Sequence, residues 1–405
     1  MTAADWAAEL SAGPDPGLVE RVLRLATAPW VHPERLRGVV EALLDQPSVA
    51  IDDVITGLEA EGDARRRPLP EPAEVREVAL TLLRHGARMA IVGQPGYPPR
   101  LNDAWPELGA PLWLFLRAPD GRVPAAPAVA VVGSRHPTVD GVETAEALGR
   151  LLARHGVTVV SGMARGIDQA AHRGALRAGG ATVAVLGTGF GVDYPAGDEA
   201  VREAIAAAGA LVTELPPGLG PKPRHFLWRN RVISGLADVT VVVQGRVRSG
   251  ALHTARLAAA QGREVMAVPG SVNDPASRAP LDLIRDGATP LTRLGDVLEV
   301  IGLAGAGAGA GAGAEAGAEG GSTAPVPSTG HRPISVAARL SAEAGSLLTL
   351  IGTVPAAPGA LARAADRPVT AILSAVAELE TAGMVRTTPR GPVLTHAAPT
   401  ELRSQ

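Results

Sequence analysis

Two apolar runs, each ending in a glycine turn, constrain the fold of this chain more than any other feature. Residues 128–132 read AVAVV and lead into the turn 133–135; residues 157–160 read VTVV and lead into the turn 161–166. Both runs are mostly β-branched and do not alternate with polar residues, which is typical of strands buried on both faces of a parallel sheet. A helical stretch follows each turn, so both turns should lie at the carboxyl edge of an α/β sheet, where such sheets bind ligands.

Both turns have properties of an anion site. Glycine lets the backbone approach a ligand closely, and the amides at a helix N-terminus favour anions. Arg135 and Arg165 each add a guanidinium that can hold a phosphate through two hydrogen bonds. The sequence therefore predicts an anion-binding rim made from the two turns.

The alternation of strand-like and helical segments continues to about residue 301. Further apolar segments of strand length occur at 182–187, 210–215, 238–245 and 264–270. Helical stretches separate most of them, and this rhythm predicts an α/β fold, a Rossmann-like, doubly wound, mostly parallel sheet. We assign this domain to residues 89–302, with 89–127 as a connecting segment whose prolines favour edge strands.

Residues 1–88 are predicted to form an N-terminal helical domain. Helix-like apolar spacing recurs at 17–26, 33–44, 51–58 and 72–85. These segments carry no reactive cluster, so packing or contact with a partner is their expected role.

A flexible linker and a small C-terminal domain are predicted beyond residue 302. Residues 303–332 alternate mainly Gly and Ala and cannot bury a core. Residues 333–405 show three short helices and a hairpin, a winged-helix-like pattern. The third helix, at 368–382, contains no Lys or Arg, which favours protein contact or a degenerate DNA module over reading of a DNA groove.

Composition excludes several classes of site. The chain has no cysteine, so it cannot form disulfides, zinc ribbons, iron–sulfur clusters or a thiol nucleophile. We find no Walker motif, Ser/His/Asp arrangement or metal-ligand cluster, and therefore predict no catalytic residue, no metal and no cofactor. No secretory leader and no apolar run of about 18 residues is present, so we expect a cytoplasmic protein with no membrane contact.

The basic charge is concentrated although the net charge is only −3. Residues 216–263 contain eight basic side chains and one acid, Asp238, and include the only lysine, Lys222. Two of the ten aromatic residues, Phe226 and Trp228, lie in this segment. Rings beside cations suit single strands, since bases stack on the rings while phosphates meet the charges. Phe226 is the better candidate for stacking, because Trp228 is expected to be buried on a helix face.

Eight motifs occur here in the order shown by one family. They are GSR at 133–135, SGMARGID at 161–168, LGTG at 186–189, Tyr194-Pro195, Glu214, HF and RNRVISGL within 225–236, SGAL and TA within 249–255, and VPG at 268–270. Together they resemble the DNA-processing protein A family (DprA, also called Smf) over about residues 90–301. The winged-helix-like pattern also fits that family.

The resemblance implies a non-enzymatic protein that binds single-stranded DNA without sequence preference. It also implies a homodimer that helps to load the RecA recombinase during DNA uptake in natural transformation. Taken with the properties of the residues, it predicts DNA contacts at Gly133, Ser134, Arg135, Ser161, Gly162, Arg165, Gly166, Lys222, Arg224, His225, Phe226, Arg229, Asn230, Arg231, Ser249 and Gly250. Two of these have alternatives: Asn230 could brace the turns, and Ser249 could simply cap a helix.

The sequence also departs from the family pattern. Leu227 replaces a usual proline, Gln244 replaces a common glutamate, and residues 279–281 (APL) replace a Gly-x-Asn pattern after the VPG turn. The alternative function is a nucleotide-processing Rossmann enzyme of the phosphoribohydrolase kind, although its PGG-x-GT-x-x-E signature is not found. An NAD-dependent oxidoreductase is less favoured, since the dinucleotide fingerprint and the ribose-binding acid are missing.

Overall fold

The computed structural model describes residues 3–303, apart from 34, 37–39, 41–42, 44–50, 65–68, 103–108, 126 and 248. Beyond residue 303 it describes 347, 351, 361, 365, 367, 369–381, 385–388 and 391–394. The chain divides into two compact units, Met1–Ala312 and Gly313–Gln405.

The first unit begins with helical structure. Its helices are α1 (Ala3–Leu10), α2 (Pro16–Thr27), α3 (Ile51–Ala64) and α4 (Pro72–Arg84). Asp15 caps α2, since its carboxylate accepts hydrogen bonds from two amides of the first turn. The helix α1 was not predicted, and most of the helix predicted at 33–44 lies outside the described residues.

A sheet of nine strands, as far as the chain is described, forms the centre of the first unit. The strands are β1 (Arg88–Ile91), β2 (Trp113–Arg117), β3 (Ala128–Val132), β4 (Thr158–Ser161), β5 (Thr182–Val185), β6 (Ala210–Thr213), β7 (Val239–Val242), β8 (Glu264–Ala267) and β9 (Thr289–Pro290). Their order is β1-β2-β6-β5-β4-β3-β7-β8-β9. Of the strand pairs described in this sheet, only β1–β2 and β2–β6 are antiparallel, so the Rossmann-like, mostly parallel fold is confirmed.

Helices cover both faces of this sheet. They are α5 (Val139–Arg154), α6 (Ile167–Arg177), α7 (Glu199–Ala208), α8 (Pro223–Gly235), α9 (Gly250–Ala260), α10 (Arg278–Arg285) and α11 (Asp296–Val300). Alternate residues of β3 enter different cores: Val129 packs with α5 and α6, whereas Ala130 belongs to the core that contains α8 and α9. Because both faces are buried, the strands are apolar throughout, as the unalternating runs indicated.

The strand order reverses at β3, and this positions the site. From β3 the chain builds outward through β4, β5 and β6, and it then returns to place β7 on the other side of β3. The helix after β3 (α5) packs on one face of the sheet and the helix after β7 (α9) on the other. The turns after β3 and β7 therefore separate at the carboxyl edge of the sheet and leave a crevice between them. This is the usual ligand position in such sheets.

The described part of the second unit contains a helix and a hairpin. These are α12 (Val369–Thr381), β10 (Val385–Thr388) and β11 (Gly391–Leu394), and the two strands pair antiparallel. Leu379 of the helix and Val385 of the hairpin share a small core. The two helices predicted near 342–351 and 357–365 lie largely outside the described residues.

Among the described residues, we find no helix with both the length and the apolar content needed to span a membrane.

Candidate nucleic-acid interface

The crevice between the turns after β3 and β7 is a groove of about 860 Å³, which we call the switch-point groove. Nine of the predicted DNA contacts line it: Gly133, Ser134, Arg135, Lys222, Phe226, Arg229, Asn230, Ser249 and Gly250. The seven that do not line it are Ser161, Gly162, Arg165, Gly166, Arg224, His225 and Arg231. The structure thus brings the first turn, one side of α8 and the start of α9 together.

The first turn, residues 133–136, faces the groove. Within the described part of the chain, no hydrogen bond engages the amides of Gly133, Ser134 or Arg135. The Arg135 side chain is exposed, and Gly133 needs to lack a side chain, since a Cβ would lie 2.6 Å from the Ile167 side chain. This turn therefore keeps donors and a cation available to a ligand.

In the second turn, residues 161–166, most polar groups form hydrogen bonds within the protein. Ser161 is buried and its hydroxyl donates to the Val131 carbonyl at 2.6 Å. The amides of Gly162 and Ala164 donate to the Asp168 carboxylate at 3.1 and 3.3 Å. A phosphate cradle at Ser161 and Gly162 is therefore not what the structure shows, because their polar groups already have partners inside the protein.

The two remaining predicted contacts of the second turn lie nearer the surface. Gly166, with φ of 87°, touches the first turn closely, and a Cβ there would clash with the Ser134 carbonyl. Arg165 is exposed beside it but does not line the groove. Met163 has φ of 58°, the only positive φ of a non-glycine residue in the described chain. The second turn is thus sharply bent and supports the first.

Arg229, predicted to contact phosphate, is buried and holds the ends of two strands. Its Nη1 donates to the Gly162 and Val185 carbonyls, both at 2.5 Å, and its Nε donates to Asn230 at 3.0 Å. Burial lowers the pKa of Arg229 to about 10, so it remains protonated at neutral pH. Arg229 also lines the groove, but its hydrogen bonds go to two backbone carbonyls and to the Asn230 side chain.

The next two residues of α8 are also internal. Asn230 accepts from Arg229 and its Nδ2 donates to the Gly250 carbonyl at 3.4 Å, so it braces the turns, the alternative that the sequence left open. Arg231 is 1% exposed and forms two hydrogen bonds with the Glu214 carboxylate, at 2.5 and 2.7 Å. The Arg231 guanidinium is therefore enclosed by protein partners, and its predicted contact with DNA stays a prediction.

Phe226 forms the aromatic wall of the groove. Its ring is half-buried and packs against Gly187, where a Cβ would lie 2.5 Å from a ring carbon. The Arg135 guanidinium lies 5.2 Å from the ring centroid, and the Tyr194 ring lies 5.3 Å away, tilted by 44°. A guanidinium and two rings thus meet at one point of the groove, as a base and its phosphate would require.

The charge of the groove is positive. Arg135, Lys222 and Arg246 are exposed along it, whereas its one lining carboxylate, Asp168, is buried. Burial raises the pKa of Asp168, while the charge of Arg229 and the two amide hydrogen bonds oppose that rise. Because Arg229 faces Asp168 internally, the exposed cations keep a net positive field at the mouth.

Arg224 and His225 lie on another side of α8. The Arg224 guanidinium is 5.3 Å from the Trp228 ring, and the His225 ring is 5.6 Å from it. Trp228 is buried, as expected for a ring on an inward helix face. These three side chains line a second, smaller cavity rather than the switch-point groove.

Two details explain residues that depart from the family pattern. Gln244 accepts from the Thr138 amide at 3.0 Å and donates to its hydroxyl at 2.8 Å, which fixes the start of α5. The Ala279 amide donates to the Gly245 carbonyl at 2.8 Å, so the substituted segment holds the turn after β7 through its backbone. Ser249 caps α9, since its hydroxyl accepts from the Leu252 amide at 3.3 Å.

Sequence reasoning missed three groove residues that matter: Arg246, Tyr194 and His136. Arg246 was part of the basic run and Tyr194 was part of a family motif, yet neither was assigned to the site. Their signal is weak because position in the groove depends on how the strands are ordered, which spacing alone does not give.

Two family models match this chain. Residues 88–302, just over half of the chain, match the family model described as DNA recombination-mediator protein A. This chain belongs to that family. Residues 332–391 match the model described as the DprA winged helix domain, so the winged-helix assignment of the C-terminal part is also shown.

Relatives and a solved structure agree with the family. A putative DNA processing protein DprA of Mycobacterium tuberculosis is 42% identical over 255 residues, covering 61% of this chain and 65% of the relative. The DNA processing protein DprA of Bacillus subtilis is 40% identical over 171 residues, covering 42% of this chain and 58% of the relative. The matches thus span less than two thirds of these family members. The X-ray structure of DNA processing protein A from Streptococcus pneumoniae is 30% identical, with a TM-score of 0.55, and the match covers 69% of this chain and 96% of that one.

Proposed function

We propose that the switch-point groove binds single-stranded DNA without sequence preference. One observation carries this proposal: the Arg135 guanidinium lies 5.2 Å from the Phe226 ring centroid, in a groove whose mouth also carries Lys222 and Arg246. Cations track a phosphate backbone and a ring stacks on any base, so the arrangement recognises features that all nucleotides share. The free amides of the first turn would add donors to a phosphate.

Single strands fit this groove better than duplexes. A base in a duplex is already stacked on its neighbours and offers no face to a ring, whereas an unpaired base does. We propose that a base stacks on Phe226 where Arg135 now lies, and that the guanidinium moves to the adjacent phosphate. Tyr194 would limit how far the base can slide along the groove.

We also propose the wider role that family membership suggests. The chain would act as a homodimer in the cytoplasm and would help to load RecA on DNA during recombination or natural transformation. The family description as a recombination mediator supports this role. The test is whether this protein speeds the assembly of RecA on a single strand, and whether a groove variant loses that effect.

The experiment for the groove compares one oligonucleotide in single- and double-stranded form over a series of salt concentrations. We expect tighter binding of the single strand and a log–log salt slope near −0.7 for each phosphate neutralised. The double variant Arg135→Ala/Phe226→Ala should bind about tenfold more weakly or worse at every sequence. Arg154→Ala, which removes an exposed arginine at the far end of α5, is the control. Unchanged binding by the double variant would reject the site.

The alternative, a nucleotide-processing enzyme, has one observation in its favour. Asp168 is a buried carboxylate in the groove and its pKa is raised, a property that acid–base groups often show. Against that role, its oxygen Oδ2 already accepts two amide hydrogen bonds. Release of free base from nucleoside monophosphates, lost in Asp168→Asn, would establish the enzyme.

A further inference from the structure

A second cavity lies on the other side of α8 from the switch-point groove, and Lys222 lines both. This cavity has a volume of about 240 Å³ and lies between the end of α2, the loop that follows it, and α8. Lys222 is exposed, so the two cavities are joined at their mouths by a cation. A strand that leaves the groove at Lys222 would therefore pass beside the second cavity.

Helix α8 divides its residues between the two cavities by helical period. Arg224 and Trp228, one turn apart, line the second cavity, while Phe226 and Asn230, also one turn apart, line the groove. The same short helix therefore presents an aromatic ring to each cavity.

The walls of the second cavity combine rings with positive charge. The Trp228 ring has the Arg224 guanidinium at 5.3 Å and the His32 ring at 5.8 Å with an interplanar angle of 10°. The carboxylate of Glu214 also borders the cavity, but it is paired with Arg231. Among the described residues that line the cavity, the remaining charge is that of Lys222 and Arg224, which suits a flat, anionic ligand.

A buried side chain that lines this cavity, His225, has a ring nitrogen without a partner among the described residues. His225 is 2% exposed, and its Nδ1 has no hydrogen-bond partner among the described residues. The Gly220 carbonyl bonds to the ring, which leaves Nε2 as the donor. Burial first, and then the charge of Arg224, lower the pKa of His225, so the ring is neutral and Nδ1 is an acceptor. An N–H group on the edge of a nucleobase would satisfy it.

We infer that this cavity is a second subsite for single-stranded DNA, which holds a base of the segment that continues past Lys222, with its phosphate beside Arg224. The inference rests on the proposed function of the groove, because the strand must first be held there. It extends the binding surface from the Rossmann-like domain to the N-terminal helical part of the same unit.

Oligonucleotide length separates the subsite from the groove. We would measure affinity for single strands from about 4 to 16 nucleotides, the range of site sizes of such proteins. Arg224→Ala, and Pro29→Glu at the exposed cavity wall, should each lower affinity for the longer strands by about fivefold or more and leave the shortest that binds unchanged. Pro29→Lys, the same position with the opposite charge, should not weaken binding, and Arg154→Ala is the distant control.

Each outcome of the length series supports or overturns the second subsite. Loss confined to the longer strands supports the subsite, whereas equal loss at all lengths, or none at any length, overturns it. If the wild-type protein binds no strand of any length, the proposed function of the groove fails first. Thermal unfolding of every variant separates a binding defect from a folding defect.

A second measurement locates the base directly. A long strand carrying 4-thiothymidine at successive positions should crosslink, at one position beyond the groove, to the tryptic peptide of residues 25–35, which borders only the second cavity. The crosslink should disappear when the strand ends at the groove. Crosslinks restricted to groove residues at every position would contradict the subsite, as expected if a protein partner occupies the cavity instead.

Discussion

The turn after β3 and the turn after β4 differ in where their backbone amides point. The amides of residues 133–135 form no hydrogen bond within the described chain, whereas those of Gly162 and Ala164 donate to Asp168. The first turn carries an exposed Arg135 over a ring, and the second is tied from below by a buried Arg229. Neighbouring strand ends in one sheet thus provide a turn with unpaired amides and a buried turn that supports it.

Because the two glycine-containing turns differ in whether their amides are paired, glycine content alone does not identify a ligand cradle. Glycine in the second turn serves the chain itself: Gly162 has no room for a Cβ beside the Arg229 guanidinium, and Gly166 passes against the first turn. A cradle needs amides that remain unpaired, and only an account of every hydrogen bond shows this. The first turn meets that condition because a rigid second turn holds it in place.

The largest loss of stability is expected when Arg229, which supports the second turn, is replaced. Arg229→Met removes the bonds to the Gly162 and Val185 carbonyls and leaves the Asp168 carboxylate buried without its cation. We expect the free energy of unfolding to fall by about 3–5 kcal/mol in urea denaturation. Arg165→Met, on the exposed part of the same turn, should stay within about 0.5 kcal/mol of wild type. Equal values for both variants would remove the supporting role of the second turn.

A smaller effect, on pH dependence, is expected at His172 of α6, the helix that the second turn starts. Burial lowers the pKa of His172 from 6.5 to about 3, and its Nδ1 is bonded to the Thr182 hydroxyl at 2.7 Å. Below pH 6.5 His172 binds a proton in the unfolded chain but stays neutral in the folded protein. The free energy of unfolding therefore falls by up to about 1.4 kcal/mol per pH unit down to about pH 3.

The His172→Gln variant isolates this contribution. The raised pKa of Asp168 acts in the opposite direction, since the folded state then binds the extra proton, so the difference between wild type and variant is the quantity to measure. Urea unfolding from pH 4 to 8 should show a wild-type stability that declines more steeply toward acid than the variant's. Parallel curves would mean that His172 accepts a proton in the folded protein. DNA binding at neutral pH should change little, because His172 lies away from the groove.

The smallest effect concerns the groove wall opposite the first turn. Lys222 is exposed and should neutralise one phosphate, so Lys222→Ala should reduce the log–log salt slope of single-strand binding by about 0.7. Its unfolding free energy should not change, in contrast to Arg229→Met. A slope equal to that of wild type would place the phosphates elsewhere.

Much of this arrangement follows from local sequence, and the rest depends on tertiary structure. The unalternating valines of β3 and β4 predicted a buried parallel sheet, and the basic segment around Phe226 predicted one wall of the groove. The local sequence does not predict which way each side chain of α8 points. Within six residues, Phe226 faces the groove, Trp228 faces the second cavity, and Arg231 faces the protein interior. That outcome depends on which strands flank α8, and on Glu214 of a distant segment being present to pair with Arg231.

Amide hydrogen exchange, with and without a single-stranded oligonucleotide, tests most directly whether the first turn contacts the strand. We expect the strand to slow exchange at residues 133–136, whereas the amides of Gly162 and Ala164 should already be protected in the free protein and change little. Strong new protection at Gly162 and Ala164, with none at residues 133–136, would contradict this expectation.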